Sequence, residues 1–204
     1  MNFKFSLPAQ VSGIAVKAAL CTALIISGCA TRSVTRVEPD KQIDLSGRWN
    51  DTDSRNVATD MVKDVLARRW RSDFVSRYAK NPVVIVGIIQ NKSNEHIDSE
   101  TFIQDIQKEF INSGMVRVVE NSVLREAIRK ERGDQAQFAS VETQAKFGKE
   151  LGANFMLFGT ITSTEDAQGK RRVIDYKVSL HLSDMETNEI VWLNSSEQKK
   201  YIVN

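Results

Sequence analysis

Apolar residues fall along this chain in three successive rhythms, and each predicts a different kind of structure. Residues 18–26 (AALCTALII) are an unbroken apolar run, too short to cross a hydrocarbon core about 30 Å thick as a lasting helix. From residue 53 the spacing turns helical, with Val57, Ala58, Met61, Val62, Val65, Leu66 and Trp70 at i, i+3, i+4 intervals. Asp53 or Ser54 is placed to cap that helix. Phe74, Val75 and Tyr78 extend its stripe to Asn81 and Pro82, where a helix must stop. Residues 83–89 (VVIVGII) are β-branched without alternation, the pattern of a strand covered on both faces.

Phe102, Ile103, Ile106, Phe110 and Ile111 mark a second helical stretch, closed by Gly114. Residues 115–119 read as a second strand, and residues 122–132 as a charged helix with Val123, Leu124, Ala127 and Ile128 inward. Ser140 caps a further helix that runs to Gly152. The last third then changes to period two. Residues 154–162 (NFMLFGTIT) predict a strand, and the turn-like residues 168–170 predict a hairpin. Beyond them Ile174, Tyr176, Val178, Leu180 and Leu182 alternate with Asp175, Lys177, Ser179, His181 and Ser183, which predicts a half-buried strand. Thr187 and Asn188 mark another turn before an apolar strand at residues 190–193, and a short strand is expected at 199–203. The fold class is α/β: a mixed sheet flanked by helices, with βαβ units followed by an antiparallel meander.

The short apolar run decides the compartment. Lys4 and Lys17 precede or enter it, and Ile26, Ser27, Gly28 and Cys29 follow. A positive start, an apolar core and small residues at its end are the parts of a secretory signal. The four closing residues resemble a bacterial lipobox, in which small residues fit a narrow peptidase cleft and the cysteine thiol accepts a diacylglyceryl group. Residues 1–28 are therefore expected to be removed and Cys29 to carry lipid. Ala30 stands where an aspartate would favour retention at the inner membrane, so the implied address is the periplasmic side of the outer membrane. Residues 29–43 form a polar tether with a single proline, spanning roughly 50 Å when extended. Residues 44–204 form one α/β domain.

Composition narrows the chemistry. The chain has 204 residues, 41% of them hydrophobic and 26% charged, enough to bury a core without disulfides or a structural metal. Of its 28 lysines and arginines, two lie in the signal, leaving 26 against 26 acidic residues. A neutral mature chain excludes nucleic acid as the main partner, which would need clustered positive charge. The two cysteines are Cys21, which leaves with the signal, and Cys29. Thiol catalysis, disulfides and cysteine-based zinc sites are excluded together.

No arrangement of residues points to catalysis. His96 and His181 are the only histidines, and His181 falls on the polar side of a strand. There is no G-x-S-x-G elbow and no glycine-rich phosphate loop ending in Lys and Ser or Thr. Carboxylate pairs such as Asp51 with Asp53 are ordinary near helix starts. Arg68, Arg69 and Arg71 flank Trp70 at a helix end, where cations complement the dipole. Neither a metal, a cofactor nor a small-molecule substrate is expected.

What stands out is a polar loop. Residues 90–98 (QNKSNEHID) follow the first strand, where α/β folds place recognition. Asn91, Asn94, Glu95 and His96 are the candidate partner contacts there. Arg125, Arg129 and Arg132, on the exposed face of the charged helix, join them.

Five segments together carry a family resemblance: DLSGRWNDTDSR (44–55), VVIVGIIQNKSNEHID (83–98), FINSGMVRVV (110–119), GKELGANFMLFGTI (148–161) and LSDMETNEIVW (182–192). In this order they resemble the LpoB-type outer-membrane lipoproteins, with a more distant similarity to the TolB amino-terminal domain and the CsgG secretion group. The resemblance implies a non-catalytic lipoprotein that binds and allosterically activates a bifunctional peptidoglycan synthase, a class A penicillin-binding protein. The alternative is a TolB- or CsgG-like component of envelope assembly or secretion. The short tether departs from the long, proline-rich one of the best-known members.

Overall fold

A computed structural model describes residues 34–38, 41–138 and 151–203, with residues 134–138 described by backbone alone. The signal, Cys29, Ala30 and all of the helix expected at 140–152 except Leu151 and Gly152 lie outside the described residues. Leu151 and Gly152 carry no regular structure. Chain contacts divide the protein into two compact units, residues 1–39 and 40–204, and the second holds every described helix and strand.

Helix α1, Asp51–Leu66, starts earlier than expected. Its cap is Asn50, whose side chain accepts the backbone N–H groups of Thr52 (3.0 Å) and Asp53 (3.1 Å). Asp53 is the third helical residue and returns a bond from the Asn50 N–H (3.0 Å), completing a reciprocal box. The stripe from Val57 to Trp70 is not one helix. The chain leaves the helix at Ala67, Arg68 is extended, and helix α2, Arg69–Tyr78, begins anew. The Trp70 indole N–H donates to the Val65 carbonyl at 2.7 Å, and its ring packs on Phe155 with centroids 4.8 Å apart. That tertiary seat, with no glycine or proline, makes the break. The arginines beside it also differ from expectation. Arg68 pairs with Asp64, while Arg69 and Arg71 occupy the first turn of α2 rather than a C-terminus, and Arg71 Nε reaches the Met115 carbonyl at 3.1 Å.

Strand β1, Val83–Asn91, leads through the loop to helix α3, Ser99–Ser113, closed as expected by Gly114 at φ 63°. The second strand is shorter than expected, β2 covering Arg117–Val119, and α4 is longer, Ser122–Phe138. Against the inward face expected of Val123, Leu124, Ala127 and Ile128, all four are exposed, Val123 to 75%. The helical period is present, but no described element covers that stripe. Strands β3 (Phe155–Gln168), β4 (Arg171–Asp184) and β5 (Ile190–Val203) are each 14 residues. The two short strands expected at the C-terminal end are thus one. Asn188, at φ 62°, turns the chain between β4 and β5, and Asp184 Oδ1 accepts the Glu186 and Thr187 N–H groups there.

The strands form one sheet in the order β2-β1-β3-β4-β5, parallel through β3 and antiparallel beyond. Helices α1 and α3 pack together on one face. There Val57, Ala58 and Val65 meet Phe102, Ile106 and Phe110 above Val84, Leu157 and Ile161, in one core with the five inward residues of β4. Tyr176, Val178 and Leu182 have no exposed surface, and Ile174 and Leu180 at most 2%. Gly159 permits this closeness, because a Cβ there would lie 2.8 Å from the Ser179 carbonyl and overlap Leu180.

The free edge strand is fastened to α1 through Asp64. Its Oδ2 accepts the Trp192 indole N–H (2.8 Å) and the Asn194 amide (2.9 Å), while Arg68 holds Oδ1. Burial alone would raise this acid, but the donors outweigh it and hold the carboxyl below the usual range. A lowered folded-state pKa contributes stability above the unfolded value near 3.9, and that stability is lost as pH falls through the folded value. Asp64→Asn should lower unfolding free energy by about 1–3 kcal/mol at pH 7. The gap between variant and wild type should close below about pH 4 in urea titrations followed by tryptophan fluorescence. Gly159→Ala should cost a further-reaching 1–3 kcal/mol or so in the same assay, since β3 and β4 must separate to admit a methyl group.

Candidate partner-binding surface

Residues 92–98 are built more tightly than a polar loop needs to be. Lys92 N–H still pairs with the Ile161 carbonyl at 2.7 Å, extending the β1 and β3 pairing by one residue. Asn91, half-buried at the strand end, works in both directions. Its amide donates to the Glu95 carbonyl (2.8 Å) and the Ile97 carbonyl (3.3 Å), and its oxygen accepts the Ser93 N–H (3.0 Å) and hydroxyl (2.7 Å). Ile97 is buried, and Asp98 caps α3 by accepting from the Thr101 hydroxyl (2.7 Å) and the Glu100 N–H (3.0 Å). Those donors, the Thr101 hydroxyl foremost, hold Asp98 below the ordinary carboxylate range.

Glu95 is turned toward the sheet. Its Oε1 accepts the Tyr176 hydroxyl at 2.7 Å, and Arg48 lies 3.8 Å from the same oxygen. The Tyr176 oxygen in turn accepts the Trp49 backbone N–H at 3.2 Å. Burial, then the hydrogen bond to Glu95, pushes the Tyr176 hydroxyl well above its ordinary pKa, so it stays a donor at any physiological pH. The segment 44–50 is thereby clamped beside the loop. Trp49 stacks edge-on to Tyr176 (5.6 Å) and Phe102 (6.5 Å), and its indole donates to Ser54 (2.8 Å). Gly47, at φ 67°, lies so near Ile202 that a Cβ would stand 2.5 Å from Cγ1. Lys200 completes the corner by pairing with Asp44 and Asp53, both at 2.9 Å. Burial works against its charge, but these two partners raise its pKa overall.

The loop therefore alternates. Asn91, Ser93, Glu95 and Ile97 serve its construction, whereas Lys92, Asn94 and His96 are exposed. Of the four loop candidates, Asn94 and His96 present side chains to solvent, and Asn91 and Glu95 are engaged within the fold. Lys92, which was not among the candidates, is exposed in the same way, and the strand-like alternation 91–97 would have pointed to it. The arginines sit apart in the topology. Val119, just before α4, lies level with Ile85 on β1, seven residues and roughly 23 Å of strand before Lys92. Arg125 is half-buried, while Arg129 and Arg132 are exposed, with Arg129 bonded to Glu126 at 3.1 Å. Among the described residues no group of three or more His, Cys, Asp or Glu side chains could hold a metal ion, and no helix is long and apolar enough to cross a membrane.

A family profile described as the peptidoglycan-synthase activator LpoB matches residues 53–198, taking in the loop, α4 and nearly all of the sheet. The chain belongs to the LpoB family. Among solved structures it is similar to the LpoB C-terminal domain of Salmonella enterica, at 14% identity over 72% of this chain and 98% of that one, with a TM-score of 0.41. The corresponding Escherichia coli domain is similar at 14% identity over 74% and 99%, with a TM-score of 0.38. A PelC dodecamer from Paraburkholderia phytofirmans shows 15% identity over 59% and 72%, with a TM-score of 0.35. No curated protein matches the chain. The LpoB family role is activation of a peptidoglycan synthase rather than a reaction of its own.

Tyr176→Phe tests the clamp. Removing one hydroxyl strips Trp49 N–H of its acceptor and Glu95 of its donor. It should therefore destabilise the domain by about 1–3 kcal/mol, with faster amide exchange at residues 48–50 and 93–97. Exchange confined to wild-type rates would show that the two segments are held independently.

Proposed function

We propose that this LpoB-family protein is an outer-membrane lipoprotein that binds a class A penicillin-binding protein and favours its active state. The observation that carries the reading is the family match across residues 53–198. In this reading residues 1–28 are removed, Cys29 takes the lipid, residues 29–43 tether the domain, and residues 44–204 do the binding. One acyl chain anchors only marginally, and the two or more on a lipoprotein cysteine anchor stably. The protein carries out no bond-making step. Activation is differential affinity: if the active synthase binds tenfold tighter than the resting one, the equilibrium shifts by about 1.4 kcal/mol.

Lys92, Asn94 and His96 form the proposed docking patch in the loop, with Arg125, Arg129 and Arg132 as a second set on α4. Asn91 and Glu95 support the patch by fixing the loop. The experiment adds purified mature protein to the cognate synthase and follows glycan polymerisation and peptide cross-linking. Acceleration of both is expected, and no change in either would overturn the reading.

Two further outcomes follow. The triple replacement of Lys92, Asn94 and His96 by alanine should leave the melting temperature within a degree or two. It should nonetheless weaken activation by about tenfold if the loop holds a binding hot spot. Metabolic labelling with a fatty-acid analogue should mark wild type and not Cys29→Ala, and Ala30→Asp should shift labelled protein toward inner-membrane density. Equal labelling of wild type and Cys29→Ala would rule out the anchor at Cys29.

A further inference from the structure

Edge strands in folded proteins are blunted by shortness, proline, bulges or charges, because their free N–H and C=O groups otherwise recruit another strand. The two edges of this sheet differ sharply. Strand β2 has three residues, whereas β5 has 14 and, among the described residues, pairs with β4 on one side and with nothing on the other. Strand β5 contains no proline, and its one register shift lies at the start, opposite Leu182 and Ser183. Its charges are Glu197, Lys199 and Lys200, and Lys200 is turned to the helix-bearing face, where Asp44 and Asp53 hold it. The opposite face of the strand carries Leu193, Ser195, Glu197, Lys199, Tyr201 and Val203, all exposed, with Leu193, Tyr201 and Val203 each more than 60% accessible.

We propose that β5 pairs antiparallel with β5 of a second copy of this chain, joining the two sheets edge to edge. The charge pattern selects both the occupant and the register. A two-fold axis normal to the sheet maps each face onto itself, and directly opposed residues share a face, so the axis must pass through a single residue. Centred on Glu197 it sets two carboxylates against each other, and centred on Lys199 two ammonium groups, both unfavourable. Centred on Gln198 it sets Glu197 opposite the partner's Lys199 and repeats that pair by symmetry. The same register places Leu193 opposite the partner's Val203 and Ser195 opposite the partner's Tyr201, so apolar pairs close both ends. Within one chain Glu197 already lies 3.4 Å from Lys177 on β4, so the row alternates in sign as it crosses the junction. This inference is independent of the activator reading.

Cross-linking of the full-length protein in intact cell envelopes tests it. In the proposed register Gln198 faces its own copy with Cα atoms about 4.5–5.5 Å apart, within the span a disulfide bridges. Gln198→Cys should therefore give, under mild oxidation, a covalent species of twice the chain mass that the parent chain lacks. Ile202→Cys, whose copies would lie about 26 Å apart along the strands, should not. Adding Glu197→Lys to Gln198→Cys should cut the cross-linked yield about threefold or more, and the further change Lys199→Glu should restore it. Both charge variants lose the Lys177 contact, and Lys199→Glu also sets a carboxylate opposite Asp175 within the chain, which works against recovery, so a restored yield reports the pairing between copies. Sedimentation of detergent-solubilised protein provides a second measurement, with dimers expected for wild type and for the double charge reversal. Monomers throughout, equal cross-linking at Ile202→Cys, an adduct of some other mass, or a yield indifferent to the charge reversal would each overturn the proposal.

Discussion

One buried hydroxyl organises the end of this domain that holds the loop after β1. Tyr176 stands in the middle of β4 with no exposed surface, and at its oxygen three separate stretches of chain meet in a single hydrogen-bonded line. A phenol in a core must find partners or lose several kcal/mol of hydration. Here the partners are the Trp49 N–H, which fixes the segment before α1, and Glu95, which fixes the loop after β1. The sheet supplies the rigid member of the trio, because alternate residues of β4 are packed against both helices. The loop's shape is thus a consequence of sheet register: a slip of β4 by one residue would send Tyr176 to the other face and release both segments together.

A second polar tie repeats the logic at the far end of β5. Lys200 sits between Asp44 and Asp53, and Asp53 also closes the box that starts α1. The first helix is therefore capped, charged and attached to the edge strand by the same few side chains. Asp64, near the other end of α1, bonds to Trp192 and Asn194 on β5. Held at both ends, α1 covers the edge half of the sheet, which explains how the C-terminal strand remains long although, among the described residues, only β4 pairs with it.

Much of this was legible because burial writes itself as periodicity. The alternation 174–182 and the stripe of α3 ending at Gly114 marked both the elements and, apart from the exposed Ile111, their inward faces, and the switch from helical spacing to period two predicted parallel pairing followed by a meander. The misreadings share a cause, namely that the deciding contact is remote in sequence. No local signal marks the break at Ala67, since the Trp70 indole bond to Val65 depends on where Phe155 lies. Five residues of capping type stand within 50–54, and only the return bond from Asp53 distinguishes Asn50. Strand β5 runs through NSSEQKK, which looks like a loop until β4 is seen to pair with all of it. In the candidate site, polarity was visible but orientation was not. Asparagine and glutamate fit exposed contacts and internal struts equally well, and the bonds to Ser93 and Tyr176 make the difference here.

The distinction between struts and contacts bears on what an activator that only binds, as proposed for this chain, can do to an enzyme. Ordering a loop on binding costs roughly 0.5–1.5 kcal/mol for each immobilised side chain. A loop already fixed by Asn91, Ser93, Glu95 and Asp98 avoids much of that cost whichever state of the partner it meets. Preorganisation of this kind raises occupancy equally for resting and active synthase, and so cannot by itself activate. The shift between the two states must arise from groups that touch the partner and find a better fit in one state than in the other. Under the proposed docking at this loop, its internal bonds would set how tightly it binds, and the outward side chains between them would set in which direction the partner's equilibrium moves.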